Sequence, residues 1–473
     1  MKMQQNPLPH SLTLFDRLRA SATSADPRFW SPRPAVAPAA LATNSILGTH
    51  LEELTGRSVL LATDDQLPTA LALLELDGLA RRLILCPPGV APEHLPPIVA
   101  DAEVDAIVCD RASPELARLG VDQHVICTSG LRPRERPACR PHQTEWVLLT
   151  SGTTGAPKAV LHTLASLTAA IRPRNGAEPP VVWATFYDIR RYGGLQIFLR
   201  AVLGGASLVL SDSRESIGQF LARLAAHGAT HITGTPSHWR RVLWSPDAAS
   251  IAPRYARMSG EVADQAIIDG LRAVYPRAKI AHAFASTEAG VGFEVDDERE
   301  GFPASFVGAH RNGVDIRIEE GSLHLRSPGN AIRYLGEDVA PIVGADCFVD
   351  TGDVVVTRDE RCYFVGRVGG IINVGGSKVH PEEVEAVINR HRDVRMSLVR
   401  PKRNPITGSV VVADVVLTDA LAGEGVEARK LEVKQEILQL CRDSLTRYKV
   451  PVAISFVPNL TIAESGKLAR HHA

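Results

Sequence analysis

The stretch Ser58–Asp110, SVLLATDDQLPTALALLELDGLARRLILCPPGVAPEHLPPIVADAEVDAIVCD, decides the fold class. Its apolar runs SVLLA, LILC and AIVCD are too short for helices and read as buried strands. Between them, DDQLPTALALLELDGLARR and PEHLPPIVADAEV carry apolar residues at helical spacing. Strand, helix, strand, helix, strand predicts a mostly parallel sheet with helices on its faces, an α/β architecture. The alternation resumes downstream. EWVLLT (145–150) and ASLVLSD (206–212) read as strands, ESIGQFLARLAAHG (215–228) as a helix stopped by Gly228, and THITGTP (230–236) as a strand with its loop. A helix DQAIIDGLRAVYP and a strand AKIAHAF follow.

Outward from this frame the text changes twice. From about residue 307, short strands joined by Gly and Asp turns (VDIRIEEGSLHLRSP, CFVDTGDVVVTRDERCYFVG) predict a small β-rich appendage. From 368 onward the helices PEEVEAVINRH and RKLEVKQEILQLCRDSL mix with the strands RMSLVRP, VVVADVVL and AISFVP, which predicts a separate α+β lobe. Residues 1–45 are rich in Pro and Ala and read as an extended arm or a short helix with loops. The expected organisation is a large N-terminal domain over 1–367, with the β-rich subdomain at its end, and a small mobile C-terminal domain over 368–473.

Composition bounds the function. A chain of 473 residues with 45% hydrophobic and 22% charged residues is ordinary globular material, long enough for several cores. A net charge of −1 offers no electrostatic footprint for nucleic acid or an anionic membrane. The seven cysteines are odd in number and contain no CxxC pair, so neither a disulfide framework nor a zinc site is expected. No apolar run reaches the length of a signal peptide or a membrane span, and the expected location is cytoplasmic.

The strongest chemical signal is Thr150-Ser151-Gly152-Thr153-Thr154-Gly155-Ala156-Pro157-Lys158. Two glycines let the backbone approach an anion closely, and the hydroxyls and the lysine donate to it. The spacing is not that of a Walker A loop. It resembles the signature loop of the acyl-adenylate-forming superfamily, which includes acyl-CoA synthetases, adenylation domains and luciferases. The resemblance implies that this loop holds the β- and γ-phosphates of ATP.

Further matches arrive in the family's order. Phe284-Ala285-Ser286-Thr287-Glu288 is similar to the family's Tyr-Gly-x-Thr-Glu, with Ala285 and Phe284 departing from the usual Gly and Tyr. The match implies that Thr287 meets the α-phosphate and that Glu288 holds Mg²⁺, a role suited to a hard oxygen ligand. Asp350-Thr351-Gly352-Asp353 resembles the Thr-Gly-Asp motif, which makes Asp353 the acceptor for both ribose hydroxyls. Gly366-Arg367 opens a long match, GRVGGIINVGGSKVHPEEVE, in which Arg367 reaches the ribose and the next residues form the interdomain hinge. Gly369 and Gly370 stand where relatives carry an acidic pair, and glycine suits a large φ/ψ change. Ser465-Gly466-Lys467 resembles the C-terminal Gly-Lys, which makes Lys467 the cation that neutralises charge in the adenylation transition state. Met258-Ser259-Gly260-Glu261 is similar to the family's adenine-side loop, with Ser259 and Gly260 as contacts and no role apparent for Glu261.

The acyl pocket is expected in two segments. Aligning Gly193-Gly194-Leu195 with the family's Gly-Gly-Leu puts Arg191 where a His often stands, flanked by Tyr187 and Tyr192. An arginine there suits a second anionic group on the substrate, and pairing of Arg190 or Arg191 with Asp188 is the competing reading. Thr235 and Pro236, in Thr233–Arg240, form the other candidate wall, while Trp239 reads as packing. His162, His231, His282 and His380 have no spacing for a metal site or a triad and read as structural.

The resemblance implies an ATP- and Mg²⁺-dependent ligase. It joins a small carboxylic acid to AMP with release of pyrophosphate, then passes the acyl group to a thiol, with coenzyme A as first acceptor. Three alternatives stand beside it: loading of a separate acyl carrier protein, ATP-dependent activation of nitrite for arylamine diazotisation, and a catalytically inactive ATP-binding relative. A homo-oligomer is compatible with the sequence.

Overall fold

The structure is a computed structural model that describes residues 12–21, 27–134, 142–150, 156–172, 179–336, 339–404, 408–418, 426–463 and 466–470. These belong to two compact units. One comprises Met1–Glu215, Ala226–His231 and Pro328–Val343; the other comprises Ser216–Ala225, Ile232–Ser327 and Gly344–Ala473.

In the first unit the strands Ser58–Leu61, Arg82–Leu85, Ala106–Cys109, Gln123–Ile126 and Glu145–Leu149 pair in parallel. Their apolar runs predict four of them, whereas Gln123–Ile126, with one buried residue, carries no such run. Ala159–Thr163 and Arg333–Tyr334 extend the sheet antiparallel at one edge. Helix Gln66–Leu76 is buried at every position, which explains why its leucines follow one another with almost no polar face. Its single charge, Glu75, is satisfied by the Ser45 hydroxyl and the Ile46 N–H, both at 2.8 Å. A second group of parallel strands joins Phe29–Trp30, Ser207–Leu210 and Val182–Thr185. The N-terminal segment follows the second of its two readings, a short helix with loops. Helix Leu14–Ser21 buries Leu14, Phe15 and Leu18, and the Leu14 N–H donates to Asp77 Oδ2 at 2.7 Å.

In the second unit, Tyr255–Ser259 and Lys279–Ser286 pair in parallel, and Gly290–Val295 returns antiparallel. The β-rich appendage is a six-stranded antiparallel sheet in the order Phe302–Pro303, Arg361–Arg367, Val349–Arg358, Ser322–Arg326, Val314–Glu319, His310–Arg311. The C-terminal segment begins with a hairpin, Ile372–Val374 and Ser377–Val379, turned by Gly375-Gly376. It continues as a three-stranded sheet, Val394–Asn404, Gly408–Leu417 and Ala453–Phe456. Helices Pro381–Ile388 and Val426–Ser444 cover that sheet through Val384, Val387, Ile388, Val433, Ile437 and Cys441. Its mixture of helices and strands is the α+β composition read from the sequence.

Among the described residues no helix is long and apolar enough to cross a membrane. The described cysteines are unbridged; Cys139 lies outside the described residues.

Candidate active site

Parallel strands in α/β sheets present their carboxyl ends together, and ligands bind there. Ser259 ends one strand directly beside Ala283 of its neighbour, so Ser259, Gly260 and the Phe284–Glu288 segment lie at one sheet edge. The second strand turns back through residues 287–289, with the Ser286 hydroxyl accepting the Ala289 N–H at 2.9 Å. Thr287 and Glu288 therefore occupy the tip of a tight hairpin. The Phe284 ring stacks on Phe364 and Phe293 at centroid distances of 5.2 and 5.8 Å. That aromatic packing anchors the hairpin and accounts for a phenyl ring in place of a phenol.

Asp353 and Arg367 are cross-strand partners in the β-rich sheet. Arg367 Nε stands 3.3 Å from Asp353 Oδ1, and its Nη2 donates to the Thr351 carbonyl at 2.9 Å. The Thr351 hydroxyl accepts the Asp353 N–H at 3.2 Å. Burial pushes the Asp353 carboxyl above its ordinary range, against the pull of Arg367, the Thr351 hydroxyl and Lys467, while Glu288 adds to the rise.

Lys467 reaches this same group. Its Cε would stand 3.4 Å from a Cβ placed on Gly260, whose φ is +86°, so the lysine stem lies across the Ser259–Gly260 loop. Burial pushes the Lys467 ammonium below the ordinary lysine range; Glu261, Asp353 and Glu288 oppose that shift and Arg367 adds to it. Four of the predicted residues, Glu288, Asp353, Arg367 and Lys467, thus form one electrostatically coupled cluster with Glu261. Alternating charge at such density suits a polyanionic ligand that also carries a diol.

The chain on either side of Lys467 is held by its backbone. The Thr235 hydroxyl donates to the Gly466 carbonyl at 2.7 Å. The Leu468 N–H donates to Glu261 Oε1 at 2.8 Å, and Glu261 Oε2 accepts the Ser237 N–H at 2.9 Å. Gly466 has φ +77°, and an added Cβ would fall onto the His238 imidazole. His238 is buried, and its Nδ1 accepts the Thr235 N–H at 3.1 Å. Burial, aided by the Arg241 charge, lowers its pKa to about 3, so the ring is neutral.

Thr235 and Pro236 start helix Pro236–Leu243, with Thr235 as the N-cap. The Thr235 side chain is fully buried and engaged by Gly466 and His238. Trp239 packs in the core and donates its Nε1–H to the Arg257 carbonyl at 3.1 Å, as read from the sequence. His238 and Glu261 are the residues that sequence reading missed. The Thr235-x-x-His238 spacing of a capping box was the available signal for the first. For Glu261 no local pattern points to a partner more than 200 residues away.

The other candidate residues lie in the first unit. Thr150 ends the Glu145–Leu149 strand; its N–H donates to the Lys158 carbonyl at 3.0 Å and its hydroxyl accepts the Lys158 N–H at 3.2 Å. Ser151, Gly152, Thr153, Thr154 and Gly155 lie outside the described residues. The Lys158 ammonium sits 4.8 Å from the centre of the Tyr334 ring. Asp188 pairs with Arg190, with Nη2 to Oδ2 at 2.5 Å; the arginine is buried and the aspartate partly so. The competing reading of that segment therefore falls on Arg190, whereas Arg191 is the residue preceding helix Tyr192–Leu203. Tyr187 and Tyr192 are buried. Gly194 is required by packing: a Cβ there would overlap the Asp188 carbonyl and stand 2.8 Å from the Ile189 nitrogen. Gly193 faces the Tyr187 ring, with room for a Cβ at 3.5 Å.

Gly369 lies in the single turn Val368–Gly370, and a Cβ there would meet open space. Its φ is outside the left-handed region, so this conformation makes no use of the freedom that glycine provides.

Two family models match. The one described as AMP-binding enzyme covers residues 72–337, and the AMP-binding enzyme C-terminal domain covers 383–467. A 2-succinylbenzoate–CoA ligase of Salmonella typhimurium is 28% identical over 333 residues, 68% of this chain and 66% of that relative's length. A 4-coumarate–CoA ligase of Pinus taeda is 24% identical over 74% of this chain and 68% of its own. Among solved structures, an anthranilate CoA ligase in complex with anthranoyl-AMP matches with a TM-score of 0.77 at 17% identity, covering 98% of this chain and 96% of that one. The o-succinylbenzoate CoA synthetase from Bacillus subtilis in complex with its acyl-adenylate intermediate matches with a TM-score of 0.71 at 18% identity, covering 96% of each chain. These structural likenesses establish a shared fold, and the model match over more than half of the chain establishes the lineage. The chain is an enzyme of the AMP-binding enzyme family.

Proposed function

We propose that the enzyme activates a small carboxylic acid as its acyl-adenylate and transfers the acyl group to the thiol of coenzyme A. The observation that carries this reading is the cluster of Lys467, Asp353, Arg367 and Glu288, which supplies a cation, a diol acceptor and a hard oxygen ligand together. In the first step a substrate carboxylate oxygen bonds to the α-phosphorus of ATP, the bond to the β-phosphate oxygen breaks, and pyrophosphate leaves. No protein nucleophile is required. Lys467 neutralises charge gathered between the carboxylate and the α-phosphate, and Thr287 donates to the same phosphate. Asp353 and Arg367 orient the ribose, and the 150–158 loop with Lys158 grips the leaving phosphates.

Glu288, a partly buried carboxylate at a hairpin tip, fits a divalent cation. It would hold Mg²⁺ as one of its few protein ligands, and the ion supplies charge neutralisation on the phosphates. In the second step the thiol sulfur bonds to the acyl carbon and AMP departs. Rotation of a C-terminal domain (368–473) about Gly369, relative to residues 1–367, would carry Lys467 out and open the path for the thiol.

For the acid we favour an aromatic or dicarboxylic compound. Relatives named for 2-succinylbenzoate and 4-coumarate support that class, and the planar fork of Arg191 suits a second carboxylate. The test is pyrophosphate release on a panel of acids, with and without coenzyme A, with nitrite plus an arylamine and a phosphopantetheinyl carrier protein as separate arms. Release that depends on an acid and is followed by loss of free thiol is expected. Turnover confined to nitrite, or ATP binding without pyrophosphate release, refutes the reading.

A further inference from the structure

Lys467 is gripped through the peptide groups on both of its sides. The carbonyl before it, at Gly466, accepts the Thr235 hydroxyl at 2.7 Å, and the N–H after it, at Leu468, donates to Glu261 at 2.8 Å. Glu261 is itself fixed by the Ser237 N–H at 2.9 Å, at the start of the helix that Thr235 caps. One carboxylate therefore bridges two N–H groups from segments far apart in the chain, a task that needs two acceptor oxygens and no donor. Thr235 and Glu261 belong to the sheet-and-helix part of the unit, whereas Gly466 and Leu468 belong to the chain's end.

We propose that Glu261, with Thr235, is a positioning residue that latches the Lys467 segment into the adenylate-forming arrangement and releases it for the thiol step. This deepens the activity proposed above and rests on it for its catalytic consequence. The latch itself is a property of the ligand-free protein. The carboxylate also lies within electrostatic reach of the Lys467 ammonium, where it opposes the loss of its proton on burial. Removal of Glu261 thus loosens the segment and weakens the cation at once.

Beyond Leu468 the chain is tied to residues of the C-terminal segment. Arg470 donates to both Glu385 oxygens, at 2.9 and 2.7 Å. Rotation of the lobe would carry Lys467 and Arg470 together and leave Glu261 and Thr235 behind. The two bonds at Gly466 and Leu468 hold the Lys467 segment itself; Asn389 Nδ2, which donates to Asp264 Oδ2 at 3.2 Å, and Arg358, which donates to Glu383 Oε1 at 3.3 Å, join the same lobe to the preceding chain and would break in the same rotation.

Hydrogen exchange at the Leu468 amide tests the latch without turnover. Glu261→Ala is expected to accelerate exchange at that amide by about ten- to a hundredfold, the worth of a charge-assisted hydrogen bond. Glu261→Gln, which keeps the shape but offers one acceptor in place of two, is expected to fall between that variant and the parent. In parallel, acid-dependent ATP–pyrophosphate exchange should fall about ten- to a hundredfold in kcat with little change in the acid KM. Thioester formation from supplied acyl-adenylate should fall far less. Unchanged Leu468 exchange in both variants overturns the latch whatever the activity. Accelerated exchange in a protein whose parent forms no acyl-adenylate upholds the latch and refutes the proposed activity instead. If Glu261→Ala fails to fold, the Gln variant alone decides, and parental exchange at Leu468 in it overturns the proposal.

Discussion

Gly466→Ala isolates the docking of Lys467 from its charge, because the ammonium is untouched. A Cβ at Gly466 would lie 2.6 Å from His238 Nε2 and 2.9 Å from Nδ1, where ordinary contacts begin near 3.4 Å. The imidazole cannot retreat easily, since it is buried and its Nδ1 is held by the Thr235 N–H at 3.1 Å. The Lys467 segment must move instead, by about 1 Å or more. Alanine at φ +77° costs a further 1–2 kcal/mol or so. The displacement loses the Thr235–Gly466 bond and strains the Glu261–Leu468 bond. A neutral bond and a charge-assisted one, together with the backbone cost, amount to roughly 3–6 kcal/mol of docking free energy.

The expected result is a fall of about a hundredfold or more in acid-dependent ATP–pyrophosphate exchange. Melting of the protein should be nearly unchanged, because the chain end undocks rather than unfolding the core. The decisive comparison is the same substitution in a His238→Ala background, where the blocking ring is gone. There Gly466→Ala should cost only its left-handed backbone, roughly tenfold. An equal penalty in both backgrounds, or parental exchange in Gly466→Ala, refutes the reasoning that links His238 to Lys467.

Lys467→Ala should lower adenylation by about a hundred- to a thousandfold while sparing thioester formation from supplied acyl-adenylate; equal losses in both half-reactions, measured separately, count against its role. Gly369→Ala meets open space and should leave adenylation intact, whereas Gly369→Pro should trap one arrangement and uncouple the two half-reactions; unchanged overall turnover in the Pro variant removes the hinge. Arg191→Ala should raise KM for a dicarboxylic acid by about tenfold or more and leave a monocarboxylic analogue little affected; parallel changes for both acids argue against a second-anion contact. His238, ordinarily titrating near 6.5, is lowered to about 3 in the fold, so the unfolded chain takes up a proton that the native state refuses. Its effect is absent above the unfolded value and grows as pH falls through that window, costing about 2 kcal/mol between pH 7 and pH 5. Urea unfolding at those two pH values should show a smaller loss for His238→Gln than for the parent; an equal loss overturns the assignment.

Much of this was legible in the residues because the chemistry restricts them. Strands such as Ser58–Leu61 and Ala106–Cys109 are buried on both faces, and a short, nearly unbroken apolar run is the economical way to write that. Asp353, Arg367, Glu288 and Lys467 were picked out through the resemblance, and the structure brings them together from four separate stretches of the chain. What stayed hidden works through the backbone. Glu261 meets the N–H groups of Ser237 and Leu468, and an N–H group has no residue identity to read. Helix Leu14–Ser21 was legible only as one of two readings of its segment. Its one apolar turn of Leu14, Phe15 and Leu18 is too short to establish a period and is ordered by packing and by Asp77. The choice between Arg190 and Arg191 needed the positions of Asp188 and Thr63, which bury and pair the former.

The strength of the latch follows from what the enzyme must do twice. Lys467 is proposed to act only while docked and the thiol to enter only once it has left, so docking must be favourable and still readily reversed. The two docking bonds, one neutral and one charge-assisted, are worth about 2–4 kcal/mol. That is enough to favour the docked state by a factor of about a hundred and little enough for thermal release on the timescale of turnover. A third strong contact at the same place would raise the docked population only from nearly all to slightly nearer all. It would also slow release by about tenfold for each 1.4 kcal/mol added. Adenylation would gain almost nothing and the thiol step would become limiting. Two bonds placed on the peptide groups of Gly466 and Leu468, rather than on the Lys467 side chain, therefore fit a segment proposed to dock and release in each cycle. Lys467 itself remains free to exchange the substrate's charges for those of Glu261, Asp353 and Glu288.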